Sequence, residues 1–328
     1  MILVITREGD LHGERILNLL KSRKEKCLAF DFSEFPMKTK ISTSVSGTNK
    51  TALLEITKHY IDSSEIKSIH YRRTTDCIFS KKVSKEEIRE YILDESEHFL
   101  ECLPNILTDT FWLSNPDSIR RASRKPLQLA EAKTLNFAIP ETLITNSPKE
   151  LRNFIQSTNM KAFVAKALFS PGIIFKGEKK EARSFYTRKL TREDILGNIE
   201  NVINCPTIFQ EYIEKDFELR ITVVGKNVFA CAIYSQKTEK TKEDWRRYDL
   251  SNTPHTSFQL PQDVEEKCLK LVEKLGLVFG CIDMIVTPRG EFIFLEINPN
   301  GQWLWIEELT GLPISEAIAN TLENPPKS

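Results

Sequence analysis

The most informative stretch of the chain is Gly280-Cys-Ile-Asp-Met-Ile-Val-Thr-Pro-Arg-Gly-Glu-Phe-Ile-Phe-Leu-Glu-Ile-Asn-Pro299. Two runs rich in Ile, Val and Phe flank a Pro-Arg-Gly turn signal, which predicts two neighbouring strands joined by a tight turn. Residues two apart share one face of a strand, so Glu296 and Asn298 point the same way. Polar side chains at this spacing in an apolar strand mark a candidate site.

The register between the two strands determines whether a third oxygen ligand joins that face. A turn that pairs Thr287 with Phe292 places Asp283 directly opposite Glu296. A register one residue off would turn Asp283 to the other face, because the side-chain period of a strand is two. Two carboxylates and an amide suit Mg²⁺, which proteins usually hold with one or two carboxylates and substrate phosphates. The predicted metal ligands are Asp283, Glu296 and Asn298.

An antiparallel hairpin with one wet face shows the same alternation, so it stays open as the alternative to a metal site. Two details favour the metal. Pro299 ends the second strand just after the last candidate ligand. The ligand face also carries Ile285, Phe292 and Phe294, which is more apolar than a solvent face requires. Because carboxylates in a surface cleft rarely support a core, we expect substitution of either carboxylate to leave the fold largely intact.

The composition narrows the class of protein. A chain of 328 residues is long enough for two or three domains, and its formal net charge is zero. A neutral chain gives no electrostatic case for a nucleic-acid or membrane partner. The apolar start is too short for a signal peptide and no apolar run reaches the length of a membrane span, so we expect a cytoplasmic protein. Seven cysteines without a CxxC pair favour reduced thiols over a zinc site.

The first third of the chain alternates between strand and helix patterns, which predicts a small open α/β domain. Its first turn, Thr6-Arg-Glu-Gly-Asp10, lacks the glycine fingerprint of dinucleotide binding, so we predict no nucleotide site there. A turn cluster at Ser114-Asn-Pro-Asp-Ser marks a boundary. The predicted elements are strands at 2–6, 27–32 and 68–72 and helices at 15–24 and 84–102.

Beyond that turn the chain carries a second set of elements. A helix begins with Pro126 in its first turn, and Asn136 suits a left-handed residue at its end. The other predicted elements are strands at 162–168, 208–213, 219–224 and 228–232 and helices at 191–203, 263–275 and 313–322.

Four charged residues upstream of the metal motif have both a functional and a structural interpretation. Lys166 interrupts an apolar strand, where an inward lysine needs an anion such as a phosphate or a buried carboxylate. Lys125 precedes a helix start, where a phosphate would also meet the helix dipole, although taken alone this residue is better explained as a solvated surface lysine. Glu218 and Arg220 share one face of a strand, as a phosphate-site pair or as a simple cross-strand ion pair.

Together these residues resemble the ATP-grasp superfamily, and more narrowly the peptide-macrocyclising ATP-grasp ligases that mature graspetides, the microviridin-type ribosomal peptides. The metal and Glu-Leu-Arg motifs mark the superfamily, and the Tyr-Arg-Arg and Asp-Trp-Arg blocks mark the peptide-modifying branch. The motifs are Tyr71-Arg-Arg, Lys125-Pro-Leu-Gln-Leu, Ile139-Pro-Glu-Thr, Lys166, Thr191-Arg-Glu-Asp-Ile, Cys205-Pro-Thr-Ile-Phe-Gln-Glu-Tyr-Ile, Glu218-Leu-Arg-Ile-Thr-Val-Val-Gly, Ser235-Gln, Asp244-Trp-Arg, Ile282-Asp-Met-Ile-Val-Thr-Pro and Phe294-Leu-Glu-Ile-Asn-Pro-Asn-Gly.

This resemblance implies an α/β ATP-grasp fold with the nucleotide in a cleft between its last two parts. The implied parts are an N-terminal pre-ATP-grasp α/β domain (1–114), a central subdomain with a leader-docking helix (115–206), a C-terminal subdomain with the metal hairpin (207–322) and a frayed tail (323–328). It also implies ATP and Mg²⁺ as cofactors, a precursor peptide with leader and core as the partner, and a homodimer.

The resemblance assigns a role to each candidate nucleotide residue. The implied phosphate ligands are Lys125 and Lys166. The implied nucleoside contacts are the strand Gln210-Glu211-Tyr212-Ile213, whose backbone from Glu211 onward would read adenine, and Glu218 at the ribose. The implied catalytic residues are Arg220 and Arg246, because an always-charged guanidinium fork suits a phosphoryl group in transfer.

The implied reaction is phosphorylation of an Asp or Glu side chain of the precursor, followed by attack of a Ser or Thr hydroxyl or a Lys amine. Esters are favoured. Glu193 and Asp194 near a helix start could grip a basic leader residue, or only stabilise the helix end. Arg72 and Arg73 could meet peptide carboxylates, or bind a domain interface. The alternatives for the whole protein are a small-molecule ligase resembling glutathione synthetase and a non-catalytic ATP- or peptide-binding module.

Overall fold

The computed structural model describes residues 1–46, 49–56, 59–169, 172–175, 181–184, 187–245, 249 and 251–326. The strands are β1 (Ile2–Ile5), β2 (Cys27–Phe30), β3 (Lys40–Ser46), β4 (Asn49–Ile56), β5 (His59–Asp62), β6 (Ser68–Tyr71), β7 (Phe111–Leu113), β8 (Thr142–Thr145), β9 (Phe163–Lys166), β10 (Gly172–Phe175), β11 (Glu181–Ser184), β12 (Arg188–Leu190), β13 (Thr207–Glu211), β14 (Phe217–Val224), β15 (Asn227–Ile233), β16 (His255–Phe258), β17 (Phe279–Val286) and β18 (Phe292–Asn298).

The helices are α1 (Leu11–Ser22), α2 (Glu86–Glu101), α3 (Leu103–Ile106), α4 (Pro116–Ala122), α5 (Lys125–Thr134), α6 (Pro148–Ser157), α7 (Arg192–Leu196), α8 (Gln262–Lys274), α9 (Leu304–Thr310) and α10 (Ile314–Glu323). Short 3₁₀ segments span Phe32–Glu34, Ser63–Glu65, Ile199–Asn204 and Ser235–Lys237.

A parallel sheet in the order β2-β1-β6-β7 forms the centre of the N-terminal domain. Strand β1 is wholly apolar and wholly buried, as expected for a parallel strand covered on both faces. Helix α1 connects β1 to β2 and buries Ile16 and Leu20. An antiparallel sheet, β3-β4-β5, extends the domain and is absent from the sequence-based prediction. Its strand β4 alternates, with Leu54 and Ile56 buried and Leu53 exposed.

The central antiparallel sheet, in the order β12-β9-β13-β8, has a hydrophobic core of its own. Phe163 and Phe209 of this sheet share that core with Leu151 and Ile155 of α6. The predicted helix 191–203 is wrong in its length. Helix α7 ends at Leu196 and a separate 3₁₀ segment follows, because Gly197-Asn198 interrupts the run with residues that helices disfavour. Strand β13 likewise ends at Glu211, two residues before the predicted end.

The C-terminal antiparallel sheet, in the order β16-β15-β14-β17-β18, has both faces covered. One face packs on α5 and α8 around Leu219, Ile221 and Met284. The other face packs on α10 and on the N-terminal domain, so that Phe279 and Ile318 share one core with Ile2. Helix α5 contains Pro126 in its first turn and is followed by Asn136 at φ 59°, as predicted.

Strands β17 and β18 pair Asp283 with Glu296 as predicted, but the register at the turn differs from the prediction. The turn pairs Val286 with Phe292, one residue away from the predicted Thr287–Phe292 pair. A bulge at Leu295 then restores the count, and Asp283 pairs with Glu296. Between the bulge and the turn, each residue of β18 therefore points to the face opposite to the one predicted.

The assignment of Phe292 and Phe294 to the ligand face is therefore wrong. Phe294 is fully buried among the residues of the α5–α8 side, and Phe292 packs against the same cluster. All seven cysteines are free thiols, four of them buried. Over the described ranges, no helix combines the length and apolar character needed to cross a bilayer.

Candidate active site

A cleft that is open to solvent lies between the central and the C-terminal sheets. Its walls come from β9 and β13 on one side and from β14, β17 and β18 on the other. The predicted site residues that line it are Lys125, Lys166, Gln210, Glu211, Tyr212, Ile213, Glu218, Asp283 and Glu296. Residues up to 171 positions apart in the chain thus meet in one place, as the sequence predicts.

Lys125 bridges the two walls of this cleft. It is the first residue of α5, and its Nζ lies 3.0 Å from Glu296 Oε2 on β18. The same Nζ donates to the carbonyl oxygen of Ala167, 3.2 Å away, just after β9. A cation held between a carboxylate and a carbonyl at a helix start is well placed for a phosphate. Lys125 is therefore not the solvated surface lysine of the alternative interpretation.

Lys166 is the last residue of β9 and lines the cleft next to the Lys125 contact. In the sheet it pairs with Ile208 of β13, while its neighbour Val164 pairs with Gln210. The side chain of Gln210 is buried and donates to Thr142 Oγ1, 2.9 Å away. Gln210 therefore fixes β13 against β8 and shapes the cleft floor.

The segment after β13 departs from the prediction of a continuous strand. The amide of Glu211 donates to Glu141 O at 2.9 Å, and the amide of Tyr212 donates to Ala162 O at 3.0 Å. Those two N–H groups are therefore already used within the protein. A purine at this edge would be read by the remaining backbone groups of Tyr212 and Ile213. Lys189 Nζ lies 4.1 Å from the centroid of the Tyr212 ring, in a cation–π contact.

Glu218 is buried at the base of the cleft and is held from both sides. Lys215 Nζ donates to one carboxylate oxygen and Ser235 Oγ donates to the other. Burial raises the pKa of Glu218, against the opposing effect of Lys215. Lys215 is a site residue that sequence reasoning missed, although its position three residues before Glu218 was a signal for an ion pair.

Arg220 and Asp283 form a buried cross-strand pair, the structural alternative that the sequence left open. Arg220 Nη1 donates to both carboxylate oxygens of Asp283, at 3.0 and 2.9 Å. Burial opposes the charge on Arg220, but the neighbouring Asp283 carboxylate raises its pKa overall. Each carboxylate oxygen has a second lone pair, so the contact leaves Asp283 able to bind a cation. Arg220 itself does not line the cleft.

Asn298, the third predicted ligand, lies at the exposed end of β18, beyond the cleft lining. In the sheet it pairs with Cys281, on the Asp283 face. Its Oδ1 accepts from the amide of Asn300 at 3.1 Å. The following chain packs tightly, because a Cβ on Gly301 would lie 2.6 Å from Cys281 Sγ and 2.7 Å from an Arg220 nitrogen. Only glycine fits there.

The four residues predicted to contact the peptide do not lie together in the structure, and they differ in exposure. Arg72 has a fully buried side chain that bonds to Asn300, so it occupies the domain interface, the second of its two alternatives. Arg73 beside it is half-buried. Asp194 forms a capping box with Thr191 at the start of α7, and a backbone hydrogen bond from Thr191 lowers its pKa. Glu193 is exposed on the same turn. Arg246 lies outside the described residues.

The Asp-Trp-Arg block contributes to the cleft through its first two residues. Asp244 is buried, and its Oδ2 accepts from the amide of Thr187 at 2.9 Å. That bond ties the C-terminal part to the start of β12 in the central sheet. Trp245 stacks on Trp305 with ring centroids 5.2 Å apart. Asp244 and Trp245 therefore form part of the cleft wall.

Two family models match the chain. The MvdD pre-ATP grasp domain matches residues 1–120, and the RimK-like ATP-grasp domain matches residues 123–322. A search of curated protein sequences found no significant match.

Several solved structures are similar over the whole chain. A ligase from Chryseobacterium gregarium, described as a RiPP-associated ATP-grasp ligase in complex with ADP and a leader and core peptide, shares 30% identity at a TM-score of 0.88, covering 99% of this chain and 97% of that one. The macrocyclase MdnC from Microcystis aeruginosa MRC, bound with precursor peptide MdnA, shares 32% identity at 0.83, covering 98% and 99%. The macrocyclase MdnB from the same organism shares 29% at 0.78, covering 98% of each chain.

These matches confirm the ATP-grasp fold and the resemblance to peptide-modifying ligases. The chain therefore belongs to the ATP-grasp superfamily and, within it, to the RiPP-associated ATP-grasp ligases.

Proposed function

We propose that this protein is an ATP-dependent ligase that closes macrocycles between side chains of a ribosomal precursor peptide. The observation that carries the proposal is the cleft, where Lys166 of the central sheet, Lys125 at the start of α5 and two carboxylates of the C-terminal sheet converge. Similarity along the whole chain to ligases solved with precursor peptides supports a peptide substrate. The cofactors are ATP and Mg²⁺.

The chemistry requires activation of a carboxylate, because oxide is too poor a leaving group for direct acyl transfer. Attack of an Asp or Glu carboxylate of the peptide on the γ-phosphorus of ATP forms an acyl phosphate and releases ADP. A nucleophile of the same peptide then attacks the acyl carbon, and phosphate leaves as the nucleophile loses its proton. The protein contributes position and charge neutralisation to both steps.

Different parts of the cleft supply the metal ligands and the phosphate ligands. Asp283 and Glu296 on paired strands, with Asn298 beyond them, offer the oxygen donors that Mg²⁺ prefers. Bound there, Mg²⁺ would neutralise phosphate charge. Lys166 holds phosphates from β9 of the central sheet, and Lys125 holds them from the start of α5, between the two walls of the cleft. We assign Arg220 the role of holding Asp283 in place on the metal face. Arg246 is then the candidate that binds the phosphoryl group during transfer.

We further propose that the nucleophile is a hydroxyl and the product an ester. A Lys amine must lose its proton before it attacks, and an acidic site resists that loss. Among the described residues, six acidic ones line the cleft: Glu211, Glu218, Glu243, Asp244, Asp283 and Glu296. That field keeps an approaching lysine charged, whereas a Ser or Thr hydroxyl is neutral throughout.

Mass spectrometry of a precursor peptide incubated with enzyme, ATP and Mg²⁺ tests the proposal. A suitable peptide is a short one with repeated Thr and Asp or Glu, encoded beside this protein. Each ring removes one water, so the mass should fall by whole waters as ADP and phosphate form. Mild alkali should restore the water to esters, while survival in alkali would mean amides. If the peptide stays unchanged, and ATP is converted to ADP when free amino acids are supplied instead, the protein is a small-molecule ligase.

We also propose that Glu193 docks a basic leader residue, while Asp194 caps α7. Glu193→Lys is expected to weaken precursor binding about two- to five-fold, the range of an exposed ion pair, and to leave ATP binding unchanged. Fluorescence anisotropy of a labelled leader measures this. Glu150→Lys, in the first turn of α6, is the matched control for a charge change on the central subdomain. A leader affinity equal to that of the control would leave Glu193 without a docking role.

A further inference from the structure

Two buried arginines hold the short loop that follows the last predicted metal ligand, Asn298. We call this loop, residues 299–302, the ligand loop. Arg220, on the C-terminal sheet, donates from Nη2 to Gln302 O at 3.4 Å while its Nη1 binds Asp283. Arg72, at the end of β6 in the N-terminal domain, reaches the same loop from the opposite side. The loop is thus held jointly by two domains.

The hydrogen bonds of Arg72 are concentrated on that loop. Its Nη1 lies 2.8 Å from Asn300 O, 2.6 Å from Asn300 Oδ1 and 3.4 Å from Gly301 O. In return, Asn300 Nδ2 donates to the carbonyl oxygen of Arg72. The backbone amide of Asn300 in turn donates to Asn298 Oδ1. A continuous path of hydrogen bonds therefore runs from β6 to a candidate ligand atom.

The surroundings of Arg72 show that its position is costly to maintain. The side chain has no solvent exposure, and its nearest carboxylate, Asp10, lies 3.5 Å from Nε. Its guanidinium lies 4.9 Å from the centre of the Trp303 ring. Within the described part of the chain, Nε and Nη2 have no hydrogen-bond partner. Burying unsatisfied donors is unfavourable, so a buried arginine with two such nitrogens calls for an explanation.

We propose that Arg72 is a positioning residue for the metal site: through Asn300 it sets the location of Asn298, so that the N-terminal domain controls how tightly the C-terminal sheet binds its divalent cation. Asn298 Oδ1 has two lone pairs and can accept from the Asn300 amide while binding a cation with the other. This inference rests on the proposed function, because it takes Asp283, Glu296 and Asn298 as the metal ligands.

An arginine suits this position because its side chain makes two kinds of contact at once. The Nη1 group divides its donors between the backbone and side-chain oxygens of one residue, and the planar guanidinium lies against Trp303. A lysine keeps the charge but presents a single flexible ammonium group. Arg72→Lys therefore removes the geometry and keeps the sign.

Mn²⁺ binding in the presence of ADP, followed by electron paramagnetic resonance on the full chain, tests the proposal. Arg72→Lys is expected to weaken Mn²⁺ binding by about 10- to 100-fold, as loss of an outer partner of a metal ligand does. Asn300→Ala should have a similar effect, and the double variant should bind no more weakly than either single one. Binding of ADP without metal, measured by calorimetry, should not change.

The matched control is Arg23→Lys. Arg23 also joins the N-terminal domain to the C-terminal part, 2.8 Å from both Asn320 and Glu323 on or beside α10, but it does not touch the ligand loop. Its variant should bind Mn²⁺ as the wild type does. An equal loss in the two lysine variants, additive losses at Arg72 and Asn300, or unchanged Mn²⁺ affinity in Arg72→Lys would each overturn the proposal. If Arg72→Lys does not fold, Asn300→Ala carries the test.

Glu296→Gln in the same titration separates this inference from the function beneath it. Loss of Mn²⁺ binding in Glu296→Gln with an unaffected Arg72→Lys rejects the positioning role alone. Retained Mn²⁺ binding in Glu296→Gln rejects the metal site itself.

Discussion

Glu296→Gln is expected to reduce ATP turnover by about 10²- to 10³-fold, the loss that follows removal of one preorganised electrostatic partner of a reacting group. The substitution keeps the shape of the side chain and removes the charge that faces both the metal position and Lys125. The side chain of Glu296 is 29% exposed, so the fold should tolerate the change. The measurement is ADP release with the precursor peptide present.

Glu291→Gln is the matched control for that variant. Glu291 lies in the same hairpin, but at its turn, where its carboxylate accepts from Thr287 Oγ1 at 3.3 Å. Its variant should turn over ATP at the wild-type rate. A well-folded Glu296→Gln enzyme with wild-type turnover would remove Glu296 from the metal site.

Asp283→Ala is expected to destabilise the folded state by about 3–5 kcal/mol, because it leaves the charge of Arg220 buried without its partner. This revises the expectation that a cleft carboxylate can be replaced without structural cost. The Asp283 side chain is 15% exposed and the Arg220 side chain 6%, so the pair is largely shielded from water. Urea unfolding followed by circular dichroism measures the change.

The double variant Asp283→Leu with Arg220→Met distinguishes a lost ion pair from a lost packing contact. Replacing both partners of a buried pair with apolar residues of similar volume is often neutral, so the double variant should recover most of the lost stability. ATP turnover should stay low in both variants, since neither retains the metal carboxylate. A denaturation midpoint for Asp283→Ala equal to that of the wild type would contradict the structural role.

Which parts of the site follow from the sequence depends on how local the determining contacts are. The shared face of Glu296 and Asn298 follows from strand periodicity alone. The bulge at Leu295 does not, because strand periodicity carries no sign of the extra residue that turns Phe292 and Phe294 toward helices distant in the chain. The pairing of Asp283 with Glu296 was therefore predicted correctly from a wrong turn register.

Other differences had a local signal that went unused. The Gly197-Asn198 pair explains why the predicted helix 191–203 is divided. The alternation of buried and exposed residues in β4 is typical of a half-buried strand, yet the sheet that contains it was not predicted. The partner of Arg72 had no such signal, since Asn300 lies 228 positions away.

The boundary between the two family models, near residue 120, does not coincide with a boundary between hydrophobic cores. Ile2 and Val4 share a core with Trp303 and Ile318, so an isolated N-terminal domain would present an apolar face to water. The central sheet and α7, by contrast, close around a core that, among the described residues, includes no side chain of another sheet. A chimaera that exchanges the central sheet with a relative's would cut through no core. We therefore expect the middle of the chain to be exchangeable by itself, whereas the N-terminal domain and the C-terminal sheet would have to be exchanged together.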